Sequence, residues 1–399
     1  MANLPEDFIR DTKLLMGEVR FNRFMEALDE DAPVSIRLNP KHSPCRCEKE
    51  DNVPWCTEGY YLKGRPQFTF DPLFHAGCYY VQEASSMFVS HVMHSLITHH
   101  LSPITPQKVL DLCAAPGGKS TAIRSVLPKD CLLISNEPIH TRSQILLENI
   151  TKWGWSNCIV TNNYPHDFRK SKMLFDIILC DVPCSGEGMF RKDPNTINEW
   201  SIQNVEKCWK LQREIVADAW ECLSPGGILI YCTCTYNIKE NEENVRWIQQ
   251  TYGAEILSIP TEPEWGITGS LLKGFEEPVY RFIPGFTKGE GLFMCALRKS
   301  GQWKNNNIFP KLKVLTSELP SGNFPHVNVN YLDALKYLHG EAIILPADTP
   351  KGLVTVTYKG FALGPAKNIG NRANNLYPKA WRIKTSHLPS EEIKIIDIQ

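Results

Sequence analysis

The chain has 399 residues, 42% of them hydrophobic, and 43 Lys and Arg residues nearly balance 44 Asp and Glu residues, for a formal net charge of -1. This length accommodates two or three domains, each with its own core. It contains no run of about 18 apolar residues and does not start like a signal peptide, so the sequence predicts a cytoplasmic protein without membrane contact.

The 14 cysteines are too sparse for a disulfide framework in a chain of this length, and reduced thiols are expected. The paired CxxC spacings of a zinc site are missing, so no bound metal is expected. The near-zero net charge also argues against a nucleic-acid partner, because proteins that neutralise phosphates usually carry a basic excess. Charges can be segregated along a chain, so this inference stays open.

Residues 1–104 predict a small α+β domain. A helix is expected over 10–28, where Leu14, Phe21 and Phe24 recur at helical spacing and are read as core positions. Prolines 103 and 106 mark a linker before the next domain.

Residues 105–299 alternate short apolar runs with helical patterns. Six runs are read as buried strands: KVLDLC, CLLISN, NCIVT, FDIILCD, GGILIYCT and LFMCAL. Helices are predicted over 120–127, 143–153, 202–223 and 240–250. Asn237 and Glu240, three residues apart, predict a capping box for the last helix. The alternation predicts an α/β fold with a mostly parallel sheet, and a Gly-rich turn between 280–283 and 292–297 predicts an antiparallel pair at its edge.

Residues 300–399 differ in charge from the rest. From 301 onward there are 12 Lys and Arg residues against 7 Asp and Glu, a net charge of +5, whereas the first 300 residues sum to -6. The stretch 349–390 has no acidic residue. Its basic residues are interleaved with Tyr358, Phe361, Tyr377 and Trp381. Cations that follow a backbone and aromatic rings that stack on bases suit a nucleic-acid surface, while a small β-rich domain with a solvated face explains the pattern equally well.

The first motif, DLCAAPGGKS, directly follows a predicted strand and opens a helix, so its glycines allow a close backbone approach to a ligand at the helix N-terminus. A Walker A loop would need Gly where Cys113 stands, and a GxGxxG fingerprint is missing. Glu137 closes the second strand about 20 residues after the glycines, where doubly wound folds place the acid that binds ribose hydroxyls. Together they favour an adenosine-containing cofactor.

Two further motifs end strands of the same predicted sheet. Asp181 to Gly186 reads DVPCSG, and residues 231–235 read YCTCT. Ligands of open α/β sheets lie beyond the carboxyl ends of the strands, so Cys184 and Cys234 can face one pocket if their strands are neighbours. Thiols at such positions point to covalent chemistry.

These motifs, with DVPCSGEGMFRKDP and YCTCTYNIKENEENV read at full length, closely resemble the Sun/nucleolar-protein family of RNA (cytosine-5)-methyltransferases. The SIRLNP segment and the tail GNRANNLYPKAWRI further resemble the bacterial RsmF-type enzymes, which modify 16S ribosomal RNA. The resemblance implies a class I, Rossmann-like methyltransferase domain and a basic, PUA-like RNA-binding domain over 300–399.

The resemblance also implies roles for individual residues. Cys234 is expected to attack carbon 6 of cytosine, Asp181 to bind the base edge, and Cys184 to assist removal of the hydrogen on carbon 5 and release of the enzyme. Lys192 is a candidate positive neighbour that favours the thiolate. The expected S-adenosylmethionine contacts are Cys113, Ala114, Ala115, Pro116, Gly117, Gly118, Lys119, Glu137 and Asp181. Relatives commonly have an Asp for adenine where this chain has Asn162 and Asn163, with Asp167 beyond them.

The expected partner is RNA, either 16S ribosomal RNA or the small ribosomal subunit, and the expected oligomeric state is a monomer. Three alternatives stay open: methylation of transfer RNA, a P-loop-like NTPase with Asp181 as a magnesium ligand, and a non-catalytic RNA-binding ribosome-assembly factor.

Overall fold

The computed structural model describes residues 4–42, 45–47, 51–98, 105–302, 312–317, 319–320, 322–385 and 387–398. Within these ranges no helix is long and apolar enough to cross a membrane. The predicted linker residue Pro103 and the boundary between residues 104 and 105 lie outside the described residues.

The N-terminal part combines helices with a small antiparallel sheet of strand order β3-β1-β4. Its elements are α1 (Glu6–Met16), α2 (Glu18–Leu28), β1 (Val34–Leu38), β2 (Cys45–Arg46), β3 (Gly59–Leu62), α3 (Pro72–His75), β4 (Tyr79–Val81) and α4 (Phe88–Thr98).

The single helix predicted over 10–28 is wrong, because Gly17 separates α1 from α2. Gly17 adopts a φ of 73°, a left-handed conformation that interrupts the helical ladder. The break changes which side chains are buried: Phe24 is fully buried, as predicted, whereas Leu14 is 86% exposed.

The central part is a mixed sheet flanked by helices. Its elements are β5 (Lys108–Asp111), α5 (Gly118–Val126), β6 (Leu132–Asn136), α6 (His140–Trp153), β7 (Cys158–Thr161), α7 (Pro165–Ser171), β8 (Phe175–Asp181), α8 (Asn195–Glu199), α9 (Ile202–Glu221), β9 (Leu223–Thr233), α10 (Glu242–Tyr252), β10 (Glu255–Leu257), β11 (Tyr280–Phe282) and β12 (Leu292–Arg298). Strands β5 to β9 pair in parallel in the order β9-β8-β5-β6-β7.

The predicted antiparallel pair is confirmed at one edge, where β11 and β10 both pair with β12 and β12 pairs with β9. The parallel strands are apolar along nearly their whole length because helices cover both faces of the sheet. The sheet therefore holds the carboxyl ends of β5, β8 and β9 in fixed register.

The opposite edge of this sheet is extended by residues that the charge pattern assigned to the C-terminal domain. Strand β13 (Val314–Leu315) pairs antiparallel with β7. Lys313 also binds there, donating its side-chain N–H to Asn162 Oδ1 at 2.8 Å and its backbone N–H to Asn163 Oδ1 at 3.1 Å.

The rest of the C-terminal part is a small sheet with one helix, in the order β14-β15-β16-β17. Its elements are β14 (His326–Val329), α11 (Tyr331–His339), β15 (Gly352–Tyr358), β16 (Phe361–Asn368), β17 (Ala373–Asn375) and β18 (Asp397–Ile398). Its core is continuous with that of the N-terminal part, where Ile36 and Leu38 pack in the same buried cluster as Val354 and Val356. Strand β18 pairs with β2.

This shared core corrects the role considered for the tail aromatics. Tyr358 and Tyr377 are buried, and Phe361 packs against His42 of the N-terminal part with ring centroids 5.3 Å apart. Rings that fill a core are not free to stack on bases, so Tyr358 and Tyr377 have a structural role.

Candidate active site

Strands β8 and β9 bring the two predicted thiols together. Asp181 and Cys232 are directly paired at the ends of these strands. The loops that follow place Cys184 Sγ 3.1 Å from Cys234 Sγ, and both residues are half-buried. The structure therefore brings Cys184 and Cys234 together, but neither lines the cavity beside the cofactor loop.

The environment of Cys184 keeps its proton in place. Its hydrogen bond to Cys234, together with burial, raises the pKa of the Cys184 thiol well above its ordinary value. Cys184 Sγ also accepts the Cys234 backbone N–H at 3.4 Å, and either sulfur can donate to the other.

Two buried glutamates that the motif analysis gave no catalytic role hold the thiol loops. Glu240 accepts hydrogen bonds from the Ser185 backbone N–H at 3.0 Å and from Asn237 Nδ2 at 2.8 Å. Glu187 accepts from the backbone N–H groups of Tyr236 at 2.7 Å and Asn237 at 2.9 Å. Each carboxylate thus joins residues beside one cysteine to residues beside the other, about 50 positions away in the chain.

The capping box predicted from Asn237 and Glu240 is wrong. Asn237 Oδ1 does accept the Glu240 backbone N–H at 2.8 Å, but residues 238–241 form a turn and α10 begins only at Glu242. The Glu240 carboxylate turns away from the Asn237 backbone to reach Ser185, so the spacing serves the thiol loops instead of the helix.

Gly188 provides the close approach that the Cys234 loop requires. Its backbone N–H donates to the Cys234 carbonyl at 2.8 Å. A Cβ at this position would lie 2.8 Å from that same oxygen and from the backbone of Gly291. Only glycine fits between these two segments.

The predicted cofactor loop connects β5 to α5. Its Ala115–Pro116 bond is cis, and Gly117 adopts a φ of 112° as the N-cap of α5. Lys119 Nζ lies 2.7 Å from Asp181 Oδ2, which ties this loop to the end of β8. Burial works against the charged form of Lys119, but the Asp181 carboxylate outweighs it, so the pKa of the Lys119 ammonium lies above its ordinary value.

A cavity of about 170 Å³ opens beside this loop. Of the predicted site residues, it is lined by Ala114, Ala115, Pro116, Gly118, Lys119, Asp181 and Lys192. The N-terminal part contributes Tyr80, Val81, Gln82, Glu83 and Ser86. Within the described ranges, Cys113, Gly117, Glu137 and the two thiols are not among its lining residues.

Lys192 is exposed, and its position follows from its neighbour Arg191. The buried Arg191 guanidinium pairs with Glu290 at 2.8 Å and donates to the Ala27 carbonyl of α2 at 2.7 Å. These contacts fix the loop that carries Lys192, so Lys192 and Asp181 line the same cavity.

Asp111 is a cavity residue that sequence analysis did not single out. Its Oδ2 accepts the Ser120 hydroxyl at 2.6 Å, but its buried Oδ1 has no hydrogen-bond partner among the described residues. Burial raises the pKa of the Asp111 carboxyl to about 7. An unpaired carboxylate oxygen in the wall of a cavity is suited to a cationic or N–H-bearing ligand.

The predicted ribose and adenine residues are not among the lining residues of this cavity. Glu137 is buried, and its Oε1 accepts the Ile139 backbone N–H at 2.9 Å. Asn162 Nδ2 donates to the Glu137 carbonyl at 2.8 Å, while Asp167 Oδ2 accepts the Tyr164 N–H at 3.0 Å. Asn162 and Asp167 thus have intramolecular partners and shape the loops around the strand ends.

No group of three or more His, Cys, Asp and Glu side chains is placed to hold a metal ion in the part of the chain that the structure describes.

The fold is that of Rossmann-like methyltransferases. Two solved structures from Pyrococcus horikoshii match with TM-scores of 0.61 and 0.57: NSun6 with SFG, at 20% identity, and a methyltransferase homolog protein, at 25% identity. The matches cover 75% and 74% of this chain and all of each structure.

Family models specify the protein further. The model described as 16S rRNA methyltransferase RsmB/F matches residues 98–298, and the chain belongs to this family. Two more models match its flanks: the N-terminal domain of 16S rRNA methyltransferase RsmF over residues 4–84 and the methyltransferase RsmF PUA domain over residues 324–383. Because the chain belongs to this family, the P-loop NTPase alternative is wrong.

Curated relatives carry the name ribosomal RNA small subunit methyltransferase F. The protein from Pectobacterium atrosepticum is 32% identical over 321 residues, and the one from Shigella flexneri is 34% identical over 284 residues. The matches cover 75% and 68% of this chain. They cover only 63% and 55% of those relatives, so the chain spans little more than half the length of the proteins that it resembles.

Proposed function

We propose that the protein transfers a methyl group from S-adenosylmethionine to carbon 5 of a cytosine in RNA, through a covalent bond between Cys234 and the base. The observation that carries this proposal is the pair of thiols, with Cys184 Sγ and Cys234 Sγ 3.1 Å apart, next to Asp181 at the edge of the cofactor cavity. The relatives named as small-subunit rRNA methyltransferases support the substrate class.

The residues around the cavity fit S-adenosylmethionine, which supplies the methyl group when bound. Its methionine moiety carries an ammonium group, which would satisfy the unpartnered Asp111 Oδ1. The backbone of the loop from Cys113 to Lys119 would hold the methionine and ribose region, and Glu137 the ribose hydroxyls. Because Glu137 is buried and outside the cavity lining, ribose binding requires side-chain or loop movement at this position.

Covalent activation makes carbon 5 reactive. Cytosine carbon 5 is a weak nucleophile, and addition of the Cys234 thiolate to carbon 6 gives it enamine character. Carbon 5 then takes the methyl group, and Cys184 is expected to assist removal of the hydrogen on carbon 5 as a proton. Elimination of Cys234 then restores the aromatic ring and frees the enzyme.

Asp181 and Lys119 act on the base and its electrostatics. The Asp181 carboxylate would accept a hydrogen bond from the exocyclic amino group of cytosine, and from N3 when this nitrogen is protonated in the adduct. Its ion pair with Lys119 at 2.7 Å fixes its orientation before the base arrives. Lys192, on the wall of the same cavity as Asp181, would add a positive charge to the site.

The proposed division of labour follows three domains: residues 1–104, the methyltransferase domain 105–299 and the RNA-binding domain 300–399. The proposed substrate is 16S ribosomal RNA or the small ribosomal subunit, acted on by a cytoplasmic monomer. Transfer RNA is the alternative substrate that the same residues would serve.

Two cysteine variants test the proposal by trapping. Cys184→Ala should accumulate a covalent RNA adduct, visible as a band of reduced mobility in a denaturing gel, because release is impaired. Cys234→Ala should form no adduct and lose methyl transfer. Cys113→Ala, which removes a thiol from the loop after β5, is the control for thiol loss. Its adduct yield should stay as low as that of the wild type. Adduct formation by Cys234→Ala would overturn the assignment of the nucleophile.

A further inference from the structure

A groove runs along the junction of the N-terminal and C-terminal parts. It consists of two adjoining cavities of about 610 and 410 Å³ that share Arg65 and Pro66. We refer to it as the junction groove. Residues 66–70, Phe74 and Val81 of the N-terminal part line the larger cavity, together with residues 383–385 of the C-terminal part. Residues 62–64, Lys394 and Ile395 complete the smaller one.

The junction groove is cationic. Lys63, Arg65, Lys384 and Lys394 contribute to its lining, and no Asp or Glu does so among the described residues. Lys63, Arg65 and Lys384 are exposed, and none of them forms an ion pair with a described carboxylate. By contrast, the cavities of about 620 and 770 Å³ elsewhere on the protein contain Glu206 and Glu276, respectively.

The acidic residue nearest in sequence does not offset this charge. Asp71 is 1% exposed and accepts hydrogen bonds from the Leu73 backbone N–H at 2.9 Å and the Tyr79 hydroxyl at 2.8 Å. Its carboxylate therefore faces the protein interior. Of the four cations, Lys394 is paired with Asp397, so Lys63, Arg65 and Lys384 carry the uncompensated charge at the rim.

The walls of the junction groove are fixed, and its floor is apolar and aromatic. Tyr331 of α11 donates its hydroxyl to the Phe70 carbonyl at 3.1 Å across the junction. The Ile383 backbone N–H donates to the Leu338 carbonyl at 3.0 Å. Phe70 and Phe74 are partly buried along the larger cavity and present ring surface to it.

The junction groove adjoins the cavity beside the cofactor loop. Val81, the last residue of β4, lines both the larger cavity of the groove and the cavity that contains Lys119 and Asp181. Its neighbour Tyr80 lines only the second of these. The two cavities therefore meet at Val81.

We propose that the junction groove binds the single-stranded RNA that flanks the target cytosine, with Lys63, Arg65 and Lys384 on its phosphates. A cationic rim over an apolar, aromatic floor is the arrangement that suits an unpaired strand, because phosphates pair with the rim and bases pack on the floor. The proposal rests on the function proposed above. It places the flanking strand at the domain junction and not at the exposed Lys351 and Lys367 beside the β15–β16 pair.

The test compares two triple variants with the same change in charge. Lys63→Ala/Arg65→Ala/Lys384→Ala removes three cations from the groove. Lys351→Ala/Lys367→Ala/Arg372→Ala removes three exposed cations at the end of the β15–β16 hairpin opposite its turn. Binding of fluorescein-labelled single-stranded RNA of about 16 and about 4 nucleotides is measured by anisotropy over a salt series. S-adenosylmethionine binding by calorimetry serves as the folding control.

The groove variant should bind the long RNA about 10- to 100-fold more weakly, and its slope of log K against log salt should be reduced by about 2, from three lost phosphate contacts. The short RNA should bind both variants alike. Wild-type affinity of the groove variant for the long RNA, or equal weakening by the two variants, would overturn the proposal. Cysteine trapping distinguishes a failure of the groove proposal from a failure of the proposed function. If the covalent adduct forms and the groove variant binds the long RNA as the wild type does, only the groove proposal is refuted.

Discussion

Glu240→Gln is expected to reduce methyl transfer while leaving the stability of the fold nearly unchanged. Glu240 accepts hydrogen bonds from Ser185 N–H, Gln212 Nε2 and Asn237 Nδ2, at 3.0, 2.6 and 2.8 Å. A glutamine at position 240 has one amide oxygen. Its NH2 group takes the place of the second carboxylate oxygen and faces a hydrogen-bond donor. One of the hydrogen bonds by which residue 240 joins the two thiol loops is therefore lost.

Two free-energy contributions oppose each other in this variant. Leaving one buried donor without an acceptor costs about 1 to 3 kcal/mol. Burial, followed by the Glu187 charge, raises the pKa of Glu240 to about 6, above the ordinary value of 4.5. Because this pKa is raised, ionisation as the pH rises through that interval costs the folded state about 2 kcal/mol, which the neutral glutamine avoids. The two contributions nearly offset at neutral pH.

The rate of methyl transfer has no second contribution that offsets the lost hydrogen bond. Displacement of Cys184 relative to Cys234 by a fraction of an ångström to 1 Å is expected to slow methyl transfer about 10- to 100-fold. Single-turnover transfer of a tritiated methyl group measures the rate, thermal unfolding measures stability, and Glu221→Gln on the exposed end of α9 is the matched control. In wild type the rate should fall below about pH 6, where Glu240 gains a proton, and the variant should lack this titration. A wild-type rate in Glu240→Gln would refute the role of this carboxylate.

Two further outcomes follow from the site. Gly188→Ala places a Cβ 2.8 Å from the Cys234 carbonyl oxygen, so it should cost about 1 to 3 kcal/mol of stability and lower the adduct yield. The control Gly269→Ala adds its Cβ in open space and should change neither. Equal melting temperatures of the two variants would contradict the packing argument. Because burial raises the pKa of Asp111 to about 7, wild type should bind S-adenosylmethionine about tenfold more weakly at pH 6 than on its plateau near pH 8. Calorimetry should show that Asp111→Asn loses this pH dependence and that the control Asp130→Asn keeps it. If Asp111→Asn also keeps the pH dependence, the proposed ammonium contact is excluded.

The parallel sheet and the meeting of Cys184 with Cys234 were predictable from sequence. Short apolar runs ending in DVPCSG and YCTCT specify strands, and the carboxyl ends of neighbouring parallel strands must meet. Glu187 and Glu240 were not predictable as a pair. Their partners lie on loops about 50 positions away, and a buried carboxylate looks like a solvated one in the sequence.

The aromatic residues of the tail show a different limit. The interleaving of Tyr358 and Tyr377 with lysines resembles a nucleic-acid surface, yet both rings are buried in the core while Lys359 and Lys379 beside them are exposed. Charge along the chain correctly marked the basic region, but only the packing of Phe70 and Phe74 against the junction shows where cations and rings lie together. The break at Gly17 was likewise invisible to apolar spacing, which continues through it.

The C-terminal part is attached near both of its ends by main-chain hydrogen bonds. Strand β13 pairs Val314 with Thr161 beside the cofactor side of the sheet, and β18 pairs Ile398 with Cys45. A domain on a free linker samples many distances from a catalytic centre, whereas one clamped at two points keeps a single distance. The distance between the junction groove and Cys234 is therefore fixed by the fold. On the proposed function, the protein would select an RNA by the number of nucleotides between the segment bound in the groove and the cytosine that reaches the thiols, in addition to the bases that the RNA presents.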